Sequence, residues 1–287
     1  MKRNTNLTNV WVERIIIGLL VLAIGLFVMI VFNPWRSPKL DRVYDYLAKI
    51  GTGIFLLVTA LFAHKSKRYK KYWPLLFTFF ILIVAVSLDV IFAQYLFKYL
   101  GVTDSTPVGW ALPKLNELFV VASVIVIFTF LSGSDLGSIY IQKGNLKLGI
   151  TIGLIAFFIF VIGAIPMASL FQAQNLSLDR TVPWIPWILI YVLANGAMEE
   201  LLFRGLFLQK LEPFFGKFFS NFFVAVIFSV IHLSGNLTGD ERIFVAFLFP
   251  FALLLGYIMQ KTDSVWGSIL FHAGMDIPVI IGIFSNL

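Results

Sequence analysis

Long apolar stretches recur along this chain, at residues 15–32, 50–63, 73–97, 117–132, 148–170, 183–209, 218–235, 243–260 and 264–284. Most of them reach the ~20 residues a helix needs to cross ~30 Å of hydrocarbon. Inside lipid every backbone N–H and C=O must find its partner within the protein, and a helix supplies those partners from its own chain. The expected fold is therefore all-α, a polytopic transmembrane helical bundle of eight or nine spans. The span that separates the two counts is 50–63, which is short, extends back to about 43, and begins beside Lys49. It suits a tilted or partly interfacial helix.

Composition closes off the alternatives. With 59% of residues apolar and 13% charged, a soluble domain would lack the charge to cover its surface. Cysteine is absent, which removes disulfides, thiolate metal sites and a cysteine nucleophile. The first apolar stretch is too long for a cleavable leader and has no small-x-small cleavage pattern after it, so it reads as an anchor. The formal charge of +7 does not call for nucleic acid, because in membrane proteins Lys and Arg gather in cytoplasmic loops. The cluster Lys65, Lys67, Arg68, Lys70 and Lys71 votes for a cytoplasmic N-terminus, while Arg36, Lys39, Arg42 and Lys49 in the first outer loop vote against it. The expected location is a membrane, with lipid as a partner. His64, beside the cluster, reads as a solvated residue, and Asp89 as a buried hydrogen bond to a neighbouring helix.

Three segments carry ionisable groups where lipid should forbid them. Each such group costs about 2.5–3.5 kcal/mol at the bilayer centre and persists only with a partner or trapped water. The first is Met198-Glu199-Glu200-Leu201-Leu202-Phe203-Arg204, the second ends at His232, and the third holds His272 and Asp276. At 1.5 Å per residue, Glu199, His232 and His272 lie ~16, ~22 and ~16 Å from the cytoplasmic ends of their spans. All three therefore sit near the midplane. Scattered structural polar groups would not be expected to share a layer.

Spacing assigns faces. Glu200 and Arg204, at i,i+4, share one helix face and can pair, whereas Glu199 is rotated about 100° away and cannot be fully satisfied by the same arginine. A partly desolvated carboxylate suits general acid–base work. Phe228 lies one turn before His232 and is expected to pack as a wall beside it. His272 and Asp276 again share a face, so Asp276 is positioned either to fix the His272 tautomer or to enter a common cavity with it. Ala273 and Gly274 leave room for a neighbouring helix or a peptide to approach. Pro278 is expected to kink the span.

Taken in order, Glu-Glu-x-x-x-Arg at 199–204, Phe-x-x-x-His at 228–232 and His-x-x-x-Asp at 272–276 resemble the signature of the CPBP intramembrane proteases. That family includes the type II CAAX prenyl endopeptidases and the abortive-infection or bacteriocin-immunity membrane proteins. The resemblance covers about residues 183–284. It implies a catalytic core over 148–287, preceded by an N-terminal transmembrane extension, 1–147, of unknown role. It further implies an intramembrane endopeptidase of a bacterial cell membrane, acting on a membrane-tethered or hydrophobic peptide, in which Glu199 and His232 activate water, His272 and Asp276 stabilise the oxyanion, and Glu200, Arg204 and Phe228 support the site. One position departs from the pattern: Asp276 stands where similar endopeptidases carry Asn, and an ionised Asp has no proton to donate.

No cofactor is expected on this reading. The metal alternative assigns Zn2+ to His232, His272 and Asp276 or Glu200 with Glu199 as base, but no His-Glu-x-x-His is present. Two other functions compete with the enzyme: a non-catalytic scaffold or immunity protein binding a membrane partner, and a proton-coupled carrier. Against the carrier, the sequence shows no inverted repeat.

Overall fold

The computed structural model describes residues 4–32, 41–233 and 241–287, and the whole of what it describes is helix and connecting turn. The elements are α1 (Asn4–Val31), α2 (Arg42–Lys65), α3 (Trp73–Asp89), α4 (Tyr95–Tyr99), α5 (Pro107–Leu131), α6 (Leu146–Ile162), α7 (Ala164–Ala168), α8 (Leu178–Thr181), α9 (Ile185–Glu199), α10 (Leu206–Ile231), α11 (Glu241–Thr262) and α12 (Trp266–Ser285). Among the described residues seven helical segments are long and apolar enough to cross a membrane, or eight if Leu146–Ile162 and Ala164–Phe171, bent by 72°, form one broken span. One of the seven, Leu178–Ile231, runs 54 residues. That is about 80 Å of helix, well beyond one bilayer. It breaks at Gly216, whose φ of 72° and ψ of 174° are not helical. This stretch holds the two spans expected at 183–209 and 218–235, and the expected total of eight or nine differs from seven or eight by how it is counted. The last two residues of the 218–235 segment, and the first loop with Arg36 and Lys39, lie outside the described residues.

The helices start where local chemistry lets them. Asp41 accepts from the Val43 N–H ahead of α2, Thr106 from Gly109 ahead of α5, and Asn145 from Leu148 ahead of α6. Each side-chain oxygen takes up an N–H that the first turn cannot satisfy. Pro107 follows Thr106 at the first helical position, where no N–H is needed.

Packing is uneven, and the unevenness locates the centre of the bundle. The most apolar window of α12 is 72% buried and that of α3 is 61%, against 22% for α2, which leaves α2 turned largely outward. α12 sits against α6 through glycines. A Cβ on Gly267 would lie 2.6 Å from the Gly149 carbonyl oxygen, one on Gly153 2.7 Å from the Gly267 oxygen, and one on Gly274 2.7 Å from the Phe157 Cα. Small residues let two backbones meet this closely, which is how membrane helices gain dispersion contact without a hydrophobic drive. The close approach that the sequence allowed at Gly274 is thus taken by a helix. Gly267→Val should destabilise the protein by about 2 kcal/mol or more, since backbone atoms have nowhere to retreat. A thermal unfolding midpoint in detergent unchanged from the parent would contradict that packing.

A loop before α6 locks both ends of this arrangement. The Val265 N–H donates to the Tyr140 carbonyl at 3.0 Å, the Ser264 hydroxyl to the Gln142 carbonyl at 2.9 Å, and the Asn145 N–H to the Thr262 carbonyl at 2.6 Å. The same loop receives the Gln209 amide at the Gly137 carbonyl and the Lys210 ammonium at the Ser138 carbonyl. The start of α12 and the first turns of α10 are therefore fixed to one another. The principal hydrophobic core joins α1, α3, α5, α10 and the 200–205 turn, with Val28, Leu82, Ile125, Leu202 and Phe228 among its buried residues. The 65–71 basic cluster is exposed apart from the half-buried Ser66, and His64 beside it is exposed with its ring 4.7 Å from Trp73.

Candidate active site

Between α9 and α10 the helix widens. Glu200–Gly205 forms a π-helical turn, closed by the Leu206 N–H bonding to Leu201 five residues back. Such bulges fit an extra residue into one turn and concentrate at functional positions. Here the bulge carries Glu200 and Arg204, both 0% exposed, and Glu199 immediately before them is 5% exposed. Gly205 ends the turn tight against the Ile139 carbonyl, with 3.2 Å left for a Cβ.

Arg204 and Glu200 pair as their spacing implied, Nη1 to Oε1 at 2.7 Å. The guanidinium also donates to the Ala252 carbonyl at 3.3 Å and lies 4.2 Å above the Phe228 ring. An aromatic face, a carbonyl and a carboxylate together replace the water that a buried cation has lost. Phe228, 1% exposed, is the wall expected beside His232, with ring centroids 4.8 Å apart, and it meets His272 edge-on at 5.8 Å.

His272 is the junction of the site. Its Nδ1 lies 2.7 Å from Glu200 Oε1, the same oxygen that accepts from Arg204. A carboxylate only accepts, so Nδ1 carries the proton and Nε2 faces the remaining acids. Those acids are Glu199, at 3.5 Å, and Asp276, at 3.7 Å. The sequence-based alternative in which Asp276 fixes the His272 tautomer is corrected here: Glu200 does so, and Asp276 is beyond hydrogen-bond reach. Asp276 instead accepts from Asn195 Nδ2 at 2.8 Å. Pro278 lies inside α12, which continues through it to Ser285.

His232 follows directly on the end of α10. Its Nδ1 is 2.7 Å from the Phe228 carbonyl oxygen. A carbonyl also only accepts, so the proton sits on Nδ1 and Nε2 keeps a free lone pair. Glu199 Oε2 is buried with no hydrogen-bond partner. The site thus holds one uncommitted carboxylate oxygen and one imidazole ready to accept. Among the described residues no group of three His, Cys, Asp or Glu side chains is placed to hold a metal ion.

The structure brings Glu199, Glu200, Arg204, His272 and Asp276 into direct contact and joins His232 to them through Phe228. With that geometry in view, the comparison with known families is specific: residues 181–278 match the family model described as "Type II CAAX prenyl endopeptidase Rce1-like". These residues form an Rce1-like domain. The match takes in all three motifs up to Asp276, and it agrees with the CPBP resemblance read from the sequence. No curated protein and no solved structure matches the chain. The Rce1-like stretch, set among helices long and apolar enough to cross a bilayer, marks an integral membrane protein.

Two features escaped the sequence reading. Asn195, 7% exposed, precedes Glu199 by four residues on the same α9 face. That spacing was the available signal. The second is a buried charged group ahead of the Rce1-like domain. Lys114 pairs with Glu117 on α5, its ammonium lies 5.8 Å from the Tyr191 ring on α9, and Asp89 of α3 is 2% exposed with its Oδ1 unpartnered. The group was not legible in the sequence, because α3 and α5 are separated by α4 and its flanking turns, which say little about their register.

Proposed function

We propose that the chain is an intramembrane endopeptidase that hydrolyses peptide bonds of membrane-associated or hydrophobic peptides. The observation that carries this reading is the free Glu199 oxygen lying beside His272, with His232 joined to His272 through the Phe228 ring. Water placed between Glu199 and His232 Nε2 gives a proton to the carboxylate as its oxygen bonds to the peptide carbonyl carbon. The carbonyl π electrons move onto oxygen, and His272, protonated on both nitrogens, donates Nε2–H to that oxyanion. Collapse of the tetrahedral intermediate breaks the C–N bond, and the proton held by Glu199 passes to the departing amine. Atoms and charge balance without a further reactant.

Asp276 takes part through His272. One of its oxygens is committed to Asn195 as an acceptor, so it supplies no proton to the oxyanion. Glu200 fixes the imidazole, and Arg204 balances Glu200. Since the reacting groups lie in helices at membrane depth, the substrate reaches them from lipid, which selects hydrophobic segments or lipid-tethered peptides. We place the N-terminus on the cytoplasmic side, where the 65–71 cluster meets the inner leaflet.

The test is hydrolysis by purified protein in liposomes carrying a hydrophobic peptide, run in heavy-oxygen water. Cleavage should place the label in the new C-terminal carboxyl. His232→Ala should reduce the rate about a hundredfold or more while the helices stay folded by circular dichroism. Full activity in the His232→Ala variant, or label absent from the product, would overturn the proposal.

A further inference from the structure

The most distinctive contact of the site is one that neither the motifs nor the general chemistry of water activation demanded. Asn195 Nδ2 donates to Asp276 Oδ2 at 2.8 Å, and the Asn195 side chain is held there by close packing. The next residue, Gly196, has the Ile269 carbonyl and the Ala273 nitrogen of α12 at 3.1 and 3.2 Å from where a Cβ would sit. α9 and α12 therefore approach closest beside this hydrogen bond. One turn further along α9 lies Glu199, and one turn back along α12 lies His272. Four side chains from two helices thus follow one another in a series: Asn195, Asp276, His272 and Glu199.

We propose that Asn195 is a positioning residue, which holds Asp276 as an oriented hydrogen-bond acceptor behind His272 so that the imidazole presents Nε2 to the reacting carbonyl. The inference rests on the reading of Glu199 and His272 as the water-activating and oxyanion-stabilising groups. The physical case is one of inventory. Asp276 has two acceptor oxygens, and among the described residues the cation paired with it is His272, at 3.7 Å. Left alone, its carboxylate would swing into hydrogen-bond range of Nε2 and occupy the proton meant for the oxyanion. The amide of Asn195 is an uncharged donor that occupies one oxygen and keeps the other at a distance. It restrains the acid without adding a charge that would compete with Arg204 for Glu200.

The experiment compares four proteins in the same peptide-cleavage assay: the parent, Asn195→Leu, Asn195→Ser and the exchange variant Asn195→Asp with Asp276→Asn. Leucine keeps the volume and removes the donor, and serine keeps polarity but is too short to reach Asp276. Both should lower kcat about ten- to a hundredfold, the fold-change equivalent of one lost hydrogen bond to a charged group, with KM within about twofold of the parent. The exchange variant rebuilds the pair with donor and acceptor reversed, and its amide oxygen still faces His272, so it should recover most of the lost kcat. A purely structural asparagine would give variants that differ in unfolding midpoint and not in kcat.

The inference is overturned if either single variant keeps kcat within twofold of the parent, or if a folded exchange variant is no faster than Asn195→Leu. Glu199→Gln, run alongside, separates the two levels. A fully active Glu199→Gln protein removes the proposed function itself. An inactive one beside a normal Asn195→Leu removes only the role of Asn195.

Discussion

Replacing Glu199 with glutamine is expected to cut peptide hydrolysis about a hundred- to ten-thousandfold, the range of a general base removed from its site. The substitution keeps shape and volume, so the close packing around a 5%-exposed side chain is undisturbed. What it removes is the capacity to take a proton from water. Oε2 has no hydrogen bond in the resting structure, so the new amide displaces none and the helices should unfold close to the parent temperature. Initial rates in detergent, paired with thermal unfolding of the same preparation, measure both quantities. A variant that loses stability in proportion to its activity would show Glu199 to be a packing residue, and the catalytic assignment would fail.

The second large effect is on stability. Arg204→Met should destabilise the protein by about 3–5 kcal/mol, the cost of leaving a buried carboxylate without its counter-charge. Arg204 is fully buried, with its guanidinium against Glu200, the Ala252 carbonyl and the Phe228 ring, so methionine fills the space and abandons all three. The double variant Arg204→Met with Glu200→Gln removes the stranded charge and should regain a substantial part of the loss. Activity should not return with it, because His272 then loses the carboxylate that fixes its Nδ1. Unfolding midpoints for the single and double variants provide the check. Equal destabilisation in both would mean that the arginine acts through packing alone.

Much of this protein was legible in its residues for one reason. Lipid offers no hydrogen bonds and tolerates few charges, so apolar length locates each helix, and every charge left inside one must have a use. The Glu200–Arg204 pair followed from spacing, since four residues along a helix is a contact by construction. His272 and Asp276 satisfy the same spacing and yet do not bond, because Glu200 and Asn195 compete for them from another segment. Spacing establishes that two groups share a face, and it leaves open which neighbour reaches them first.

What the sequence determined, then, was the set: which stretches are buried helices, and which six ionisable residues must meet away from water. The tertiary structure decided the pairing. The π turn at 200–205 sets how far Glu199 and Glu200 diverge, and it is shaped by Gly205 lying against the Ile139 carbonyl. The glycine contacts at 149, 153, 196 and 267 set how near α12 comes to its neighbours, and so whether His272 reaches Glu200 at 2.7 Å. A hydrogen bond is lost over a displacement of less than an ångström, whereas apolar burial tolerates several. The coarse pattern of burial could therefore be read along the chain, and the choice of partner waited on how closely the helices pack.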